Sequence, residues 1–191
     1  MQRETGDYPA AAASLARALA IYDDLSDVLG QSYALRDLGV VQMLTGDYPA
    51  AAASQQHALA LYGDLGDRLG QAEALNRLGE LATRTSATGQ ARQHHARALA
   101  IACDLGAAPE EARALEGLGQ ARLQDGNPGQ AAAHLRQALA IYQRIGAPAA
   151  RRVQQTLRNP KLASITARAP ASGSWQQAPP AARACRTPRT R

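Results

Sequence analysis

The chain has 191 residues, enough for one or two ordinary domains, and 46% of them are hydrophobic with only 4% aromatic and no Phe. Its net charge of +5 is uneven: residues 1–158 carry 15 Arg against 16 acids, while residues 159–191 carry Lys161 and five Arg with no acid. The basic balance is therefore a tail property and argues no nucleic-acid function for the rest; no apolar leader and no stretch of about 18 apolar residues speaks for export or membrane insertion, so a cytoplasmic location is expected.

The first predicted element is a helix over 7–25. Tyr8, Ala11, Ala12, Leu15, Ala18, Leu19, Tyr22 and Leu25 step by three or four around one face. The segment GDYPAAAAS at 6–14 returns at 46–54, and the whole chain follows the same 40-residue period. Ala18, Ala58, Ala98 and Ala138 share one phase. Leu38, Leu78 and Leu118, each followed by Gly39, Gly79 or Gly119, share another. Such self-similarity marks a stacked-repeat architecture.

Each period reads as two helices. Pairs are expected at about 28–65, 68–105 and 109–145, within units 28–66, 67–106 and 107–146, with a terminal helix at 149–158. Corners are expected at Gly46, Gly66, Gly106 and Gly126, because glycine ends helices in a left-handed turn. Asp47 and Asn127 are placed to cap the helices that follow, and Glu110 and Glu111 open another where acids suit the helix dipole. Alternating strand patterns are absent, so the fold class is all-α. By phase, Met1–Thr5 match Val41–Thr45, so helix 7–25 lacks its partner helix; the chain reads as part of a longer protein or one that self-associates through that helix. Periodicity stops at Asn159-Pro160, and the Pro/Ala/Arg-rich residues 159–191 are expected to be a disordered tail with at most weak, salt-sensitive contact to nucleic acid.

No catalytic constellation is visible. Gly-x-Ser-x-Gly, Gly-x-x-x-x-Gly-Lys and paired catalytic carboxylates are all missing. Cys103 and Cys185 lie in unlike segments without metal spacing, and Cys103 reads as a packing residue and not a nucleophile. His57, His94, His95 and His134 are the only cluster worth weighing for metal, and without an HExxH pattern they read as surface helix residues. No metal, no cofactor and no enzymatic activity are expected.

The pattern Leu35-x-x-Leu38-Gly39, Gly46-Asp47-Tyr48, then Ala51 and Ala58, resembles the tetratricopeptide repeat over about residues 1–158. It departs from the usual form in its 40-residue unit, where 34 is common, and in lacking the tryptophan at the Leu35 phase and the tyrosine at the Gln42 phase. The longer form is similar to repeats in peptide-binding adaptors and in the C-terminal arms of bacterial signalling ATPases and transcriptional regulators. The resemblance implies a right-handed solenoid of antiparallel helix pairs. It also implies a concave groove, lined by the first helix of each unit, that binds a protein or peptide. By phase, the first unit contributes Tyr33, Arg36, Asp37, Val40 and Met43 to that groove; the second contributes Glu73, Asn76, Arg77, Glu80 and Thr83; the third contributes Arg113, Glu116, Gln120 and Leu123. Peptide-binding relatives often carry an asparagine just before Leu-Gly, where this chain has Asp37, Arg77 and Gly117. Two functions follow from the resemblance: an adaptor that holds a peptide or helix in the groove, or the sensory or autoinhibitory arm of a larger regulator.

Overall fold

The computed structural model describes residues 7–159 and Leu162. The readings of Met1–Thr5 and of the basic tail, apart from Asn159 and Leu162, lie outside the described residues. The elements run α1 (Tyr8–Asp24), α2 (Val28–Thr45), α3 (Tyr48–Asp64), α4 (Arg68–Arg84), α5 (Thr88–Leu105), α6 (Ala108–Gln124), α7 (Pro128–Arg144) and α8 (Ala149–Leu157), with no strand among the described residues. The odd helices begin at Tyr8, Tyr48, Thr88 and Pro128, each 40 residues after the last.

Consecutive helices pack pairwise along the chain, as a solenoid requires. The even helices also meet each other, α4 on α6 and more lightly α2 on α4, and no odd pair does so to that extent. The even helices are thus the inner layer. Small side chains make the stacking close: Ala51, Ala58, Ala74, Ala91, Ala98, Ala114 and Ala138 are fully buried. Leu75, Leu115, Leu135 and Tyr142 fill the central and C-terminal core around them. α1 packs on α2 and has no buried residue, whereas α4 and α6 bury most of their apolar positions.

The corners follow the predicted chemistry. Gly46, Gly66, Gly106 and Gly126 all take left-handed φ, between +65° and +86°. Ser26 and Ser86 occupy the same backbone conformation without being glycine, at φ 55° and 60°. Asp7, Asp27, Asp47 and Asp67 each accept a hydrogen bond from the backbone N–H three residues on, closing the helix N-termini. Asn127 stands at the N-cap position of α7 but does not cap it; its amide donates to the Asp125 carbonyl. Packing also reaches past Arg158, where the period ends, because Leu162 is buried in the core cluster that contains Val153.

Candidate protein-binding face

The even helices carry the candidate groove residues, and three of them do not face solvent. Met43 is buried against Ala51 and Leu81. Asn76 is fully buried, and Glu116 is 4% exposed. Neighbouring helices are stacked on those positions, so a side chain one turn from the Leu-Gly ladder points into packing and not into a groove. Leu123 also packs partly against the core, while Gln120 is exposed. Tyr33 and Asp37 are exposed, and Arg36, Val40, Glu73, Arg77, Glu80, Thr83 and Arg113 are half-buried on the inner layer.

The half-buried charges form a ladder that crosses units. The Arg36 guanidinium contacts Asp37 at 2.9 Å and Glu73 of the next unit at 3.4 Å. Arg77 contacts Glu80 at 3.0 Å, and Arg113 of the following unit reaches the other Glu80 oxygen at 4.0 Å and Glu110 at 3.2 Å. Arg36 also lies 5.1 Å from the ring centroid of Tyr33, which meets Tyr62. A recess of about 400 Å³ opens beside this group, lined by Tyr33, Arg36, Tyr62, Leu69 and Glu73. A second, of about 260 Å³, continues along Val40, Arg77, Glu110 and Arg113. Partly exposed ion pairs of this kind contribute little to stability, so their partners can be exchanged for those of a ligand at small cost.

Beneath the ladder lies a buried polar chain. The amide of Asn76 donates to the Glu110 carbonyl at 3.1 Å and to its carboxylate at 2.8 Å, and its oxygen sits 3.1 Å from Nδ1 of His95. His95 is fully buried, which corrects its reading as a surface residue; His94 and His134 are half-buried and His57 is exposed. Burial, with a smaller contribution from His94, holds the His95 ring near a pKa of about 4, against the nearby Gly79 carbonyl, which favours the charged form. Burial lowers His94 and His134 in the same direction. Glu110 does more than suit a helix dipole, because it is buried and bonded to Asn76 and Arg113.

At the C-terminal end, Glu116 receives two hydrogen bonds from Arg152 of α8, at 3.0 and 2.9 Å, and one from the Tyr142 hydroxyl at 3.0 Å. Burial and the Glu116 carboxylate push the Tyr142 phenol well up. Glu116 is therefore a clamp holding α8. Among the described residues no group of three or more His, Cys, Asp or Glu could hold a metal ion, and no helix is long and apolar enough to cross a membrane.

Periodicity alone could not find Tyr62, Glu110 or His95. One signal was present. Tyr22 and Tyr62 lie over Gly30 and Gly70, whereas the third unit exchanges sizes, with Ala102 at the tyrosine phase and Glu110 at the glycine phase. That exchange makes room for the Glu110 side chain beneath α5.

No curated protein matches the chain. A family model described as the tetratricopeptide repeat matches it twice, at residues 30–104 and 70–144, and the two matches overlap in a shift of one 40-residue unit. They span α2 to α7, the helices whose inner members carry the charged face. The chain belongs to the tetratricopeptide-repeat family.

Proposed function

We propose that the chain is a protein-interaction scaffold whose inner layer holds a peptide or a helix of a partner. Repeats of this family generally mediate contacts between proteins. The observation that carries the reading is the inter-unit ladder Arg36–Glu73 and Glu80–Arg113, half-exposed and flanked by the two recesses. Guanidinium and carboxylate groups alternate along it, so a ligand of mixed charge can replace intramolecular pairs with its own. The apolar floor at Tyr33 and Val40 offers contact area between them.

The test is selection of ligands from a random peptide library, followed by binding to a variant with Arg36→Glu, Arg77→Glu and Arg113→Glu. Selected peptides should lose about tenfold or more in affinity. Peptides that bind the variant as tightly as the parent rule this face out.

The same reading extends to α1. Its face bearing Leu15 and Leu19 is only partly covered, and Ile21 is 57% exposed. Self-association through this helix is the expected consequence. Sedimentation of the parent against a Leu15→Glu, Leu19→Glu variant reads it, and a parent that stays monomeric across concentration rejects it.

A further inference from the structure

The two edges of the solenoid make the same turn with different residues. At one edge Gly46, Ser86 and Gly126 take left-handed φ; at the other Ser26, Gly66, Gly106 and Gly146 do so. On the first edge the residue before the turn is Thr45, Thr85 or Asp125. The two threonine hydroxyls donate to carbonyls of the last helical turn, so a polar side chain there helps to close the helix. On the second edge the same place is held by Leu25, Leu65, Leu105 and Ile145, which are 69%, 43%, 44% and 39% exposed. Leu29 and Leu69, at the start of the next helices, add to it at 44% and 45%. The turn does not call for these apolar side chains, and the core does not use them. Exposed apolar residues gathered in one patch mark an interaction surface.

The rungs are contiguous. Arg68 at the second corner binds Asp104 at the third at 2.9 Å, and Leu69 shares a recess with Tyr33 of the preceding unit. The rim is acidic at the first two corners, where Asp23, Asp24 and Asp64 are exposed; at the third Asp104 is paired with Arg68, and the rim turns basic at Arg144. A helix laid along the edge would set an apolar face against the leucines while its cationic flanks meet the aspartates.

We propose that this edge, Leu25–Leu65–Leu105 with its aspartate rim, is a second docking surface that takes a basic amphipathic helix of a partner protein, apolar along one face. It adjoins the inner layer only at Leu69, which also lines the first recess, and it is tested separately from the charged ladder.

The probe is a synthetic 21-residue helix with leucines on a heptad stripe and lysines elsewhere, beside a twin in which every lysine is glutamate. Both are titrated by fluorescence anisotropy against the full chain. The lysine helix should bind and the glutamate twin should not. Affinity should fall about tenfold for Leu65→Ser with Leu105→Ser, and by a similar factor for Asp24→Asn with Asp64→Asn, while the charge-balanced Arg77→Gln with Glu80→Gln on the inner layer leaves it unchanged. Should the leucine variant lose its helical circular dichroism, the aspartate variant, which keeps every apolar side chain, decides. Equal binding of the two helices, parent affinity in both edge variants, or loss in the inner-layer variant overturns the proposal. So does a self-association that the edge substitutions abolish, which would assign the edge to a second copy of the chain.

Discussion

The Nδ1 atom of His95 on α5 lies 3.1 Å from the amide oxygen of Asn76 on α4, and both side chains are fully buried. The amide of Asn76 goes on to Glu110 on α6, so one asparagine ties three consecutive helices together through side chains. Buried polar groups are stable only when paired. Replacing Asn76 by Ala leaves the His95 N–H and the Glu110 carboxylate without this partner. We expect a loss of roughly 2–3 kcal/mol, or about 5–10 °C in Tm. Thermal melts read it; an unchanged Tm would show that the chain of bonds contributes nothing.

His95 makes stability depend on pH. Its folded pKa of about 4 lies below the ordinary histidine value of 6.5, so below 6.5 the unfolded chain binds the proton more readily. The contribution is complete above pH 6.5 and is lost as pH falls from 6.5 toward 4; it amounts to about 3 kcal/mol. His94 and His134, also lowered by burial, act in the same sense. His95→Gln, the residue that Gln55 supplies at this phase, should flatten part of the slope of stability between pH 6.5 and 4.5. Urea unfolding at several pH values measures this, and parallel slopes for parent and variant would contradict it.

The ladder glycines should differ in what they tolerate. A Cβ on Gly39 would come 2.5 Å from the amide end of buried Gln55, an unbranched side chain that can turn away only by giving up its hydrogen bond to the Arg36 carbonyl, a cost that offsets the gain in helix propensity. A Cβ on Gly79 would come 2.5 Å from Nε2 of His95, whose ring is also confined by Gly117. In a helix interior Gly→Ala gains about 1 kcal/mol by itself. Gly39→Ala should therefore change stability little, while Gly79→Ala overpacks a ring that cannot move away and should lose about 1–2 kcal/mol net. Equal unfolding midpoints for the two variants would reject the distinction.

Ser86 stands in the left-handed conformation that Gly46 and Gly126 take at the equivalent corners. Ser86→Gly removes the Cβ penalty and should stabilise by about 0.5–1 kcal/mol, despite the added freedom of the unfolded chain. A melt at or below the parent Tm would count against strain at this corner.

The repeat made much of the architecture legible. Helix starts, the aspartate caps and the glycine corners follow from residues that recur at one phase, because each unit solves the same packing problem; the inner position of the helices beginning near 28, 68 and 108 came from the family resemblance. What did not recur was hidden. Asn76 shares a phase with Arg36 and Glu116, and the three have different fates: Arg36 is half-exposed, Asn76 is bonded to His95, and Glu116 is clamped by Arg152 and Tyr142. A phase gives direction from the helix axis. It does not say what the next unit stacks there, and the buried positions are those where the neighbour supplies a complementary polar group. Leu162 was missed for a related reason, since one buried leucine beyond the last period has no repeat to announce it.

The central claim is that a partner lies along the inner layer of α2, α4 and α6. The most direct measurement is a nuclear magnetic resonance titration of the isotope-labelled full chain with a peptide selected against it. The perturbed signals should cluster at Tyr33, Arg36, Val40, Glu73, Arg77, Glu80 and Arg113, side chains that share one surface and its two recesses. Perturbations confined to the outer helices α3, α5 and α7, with those residues undisturbed, would contradict it.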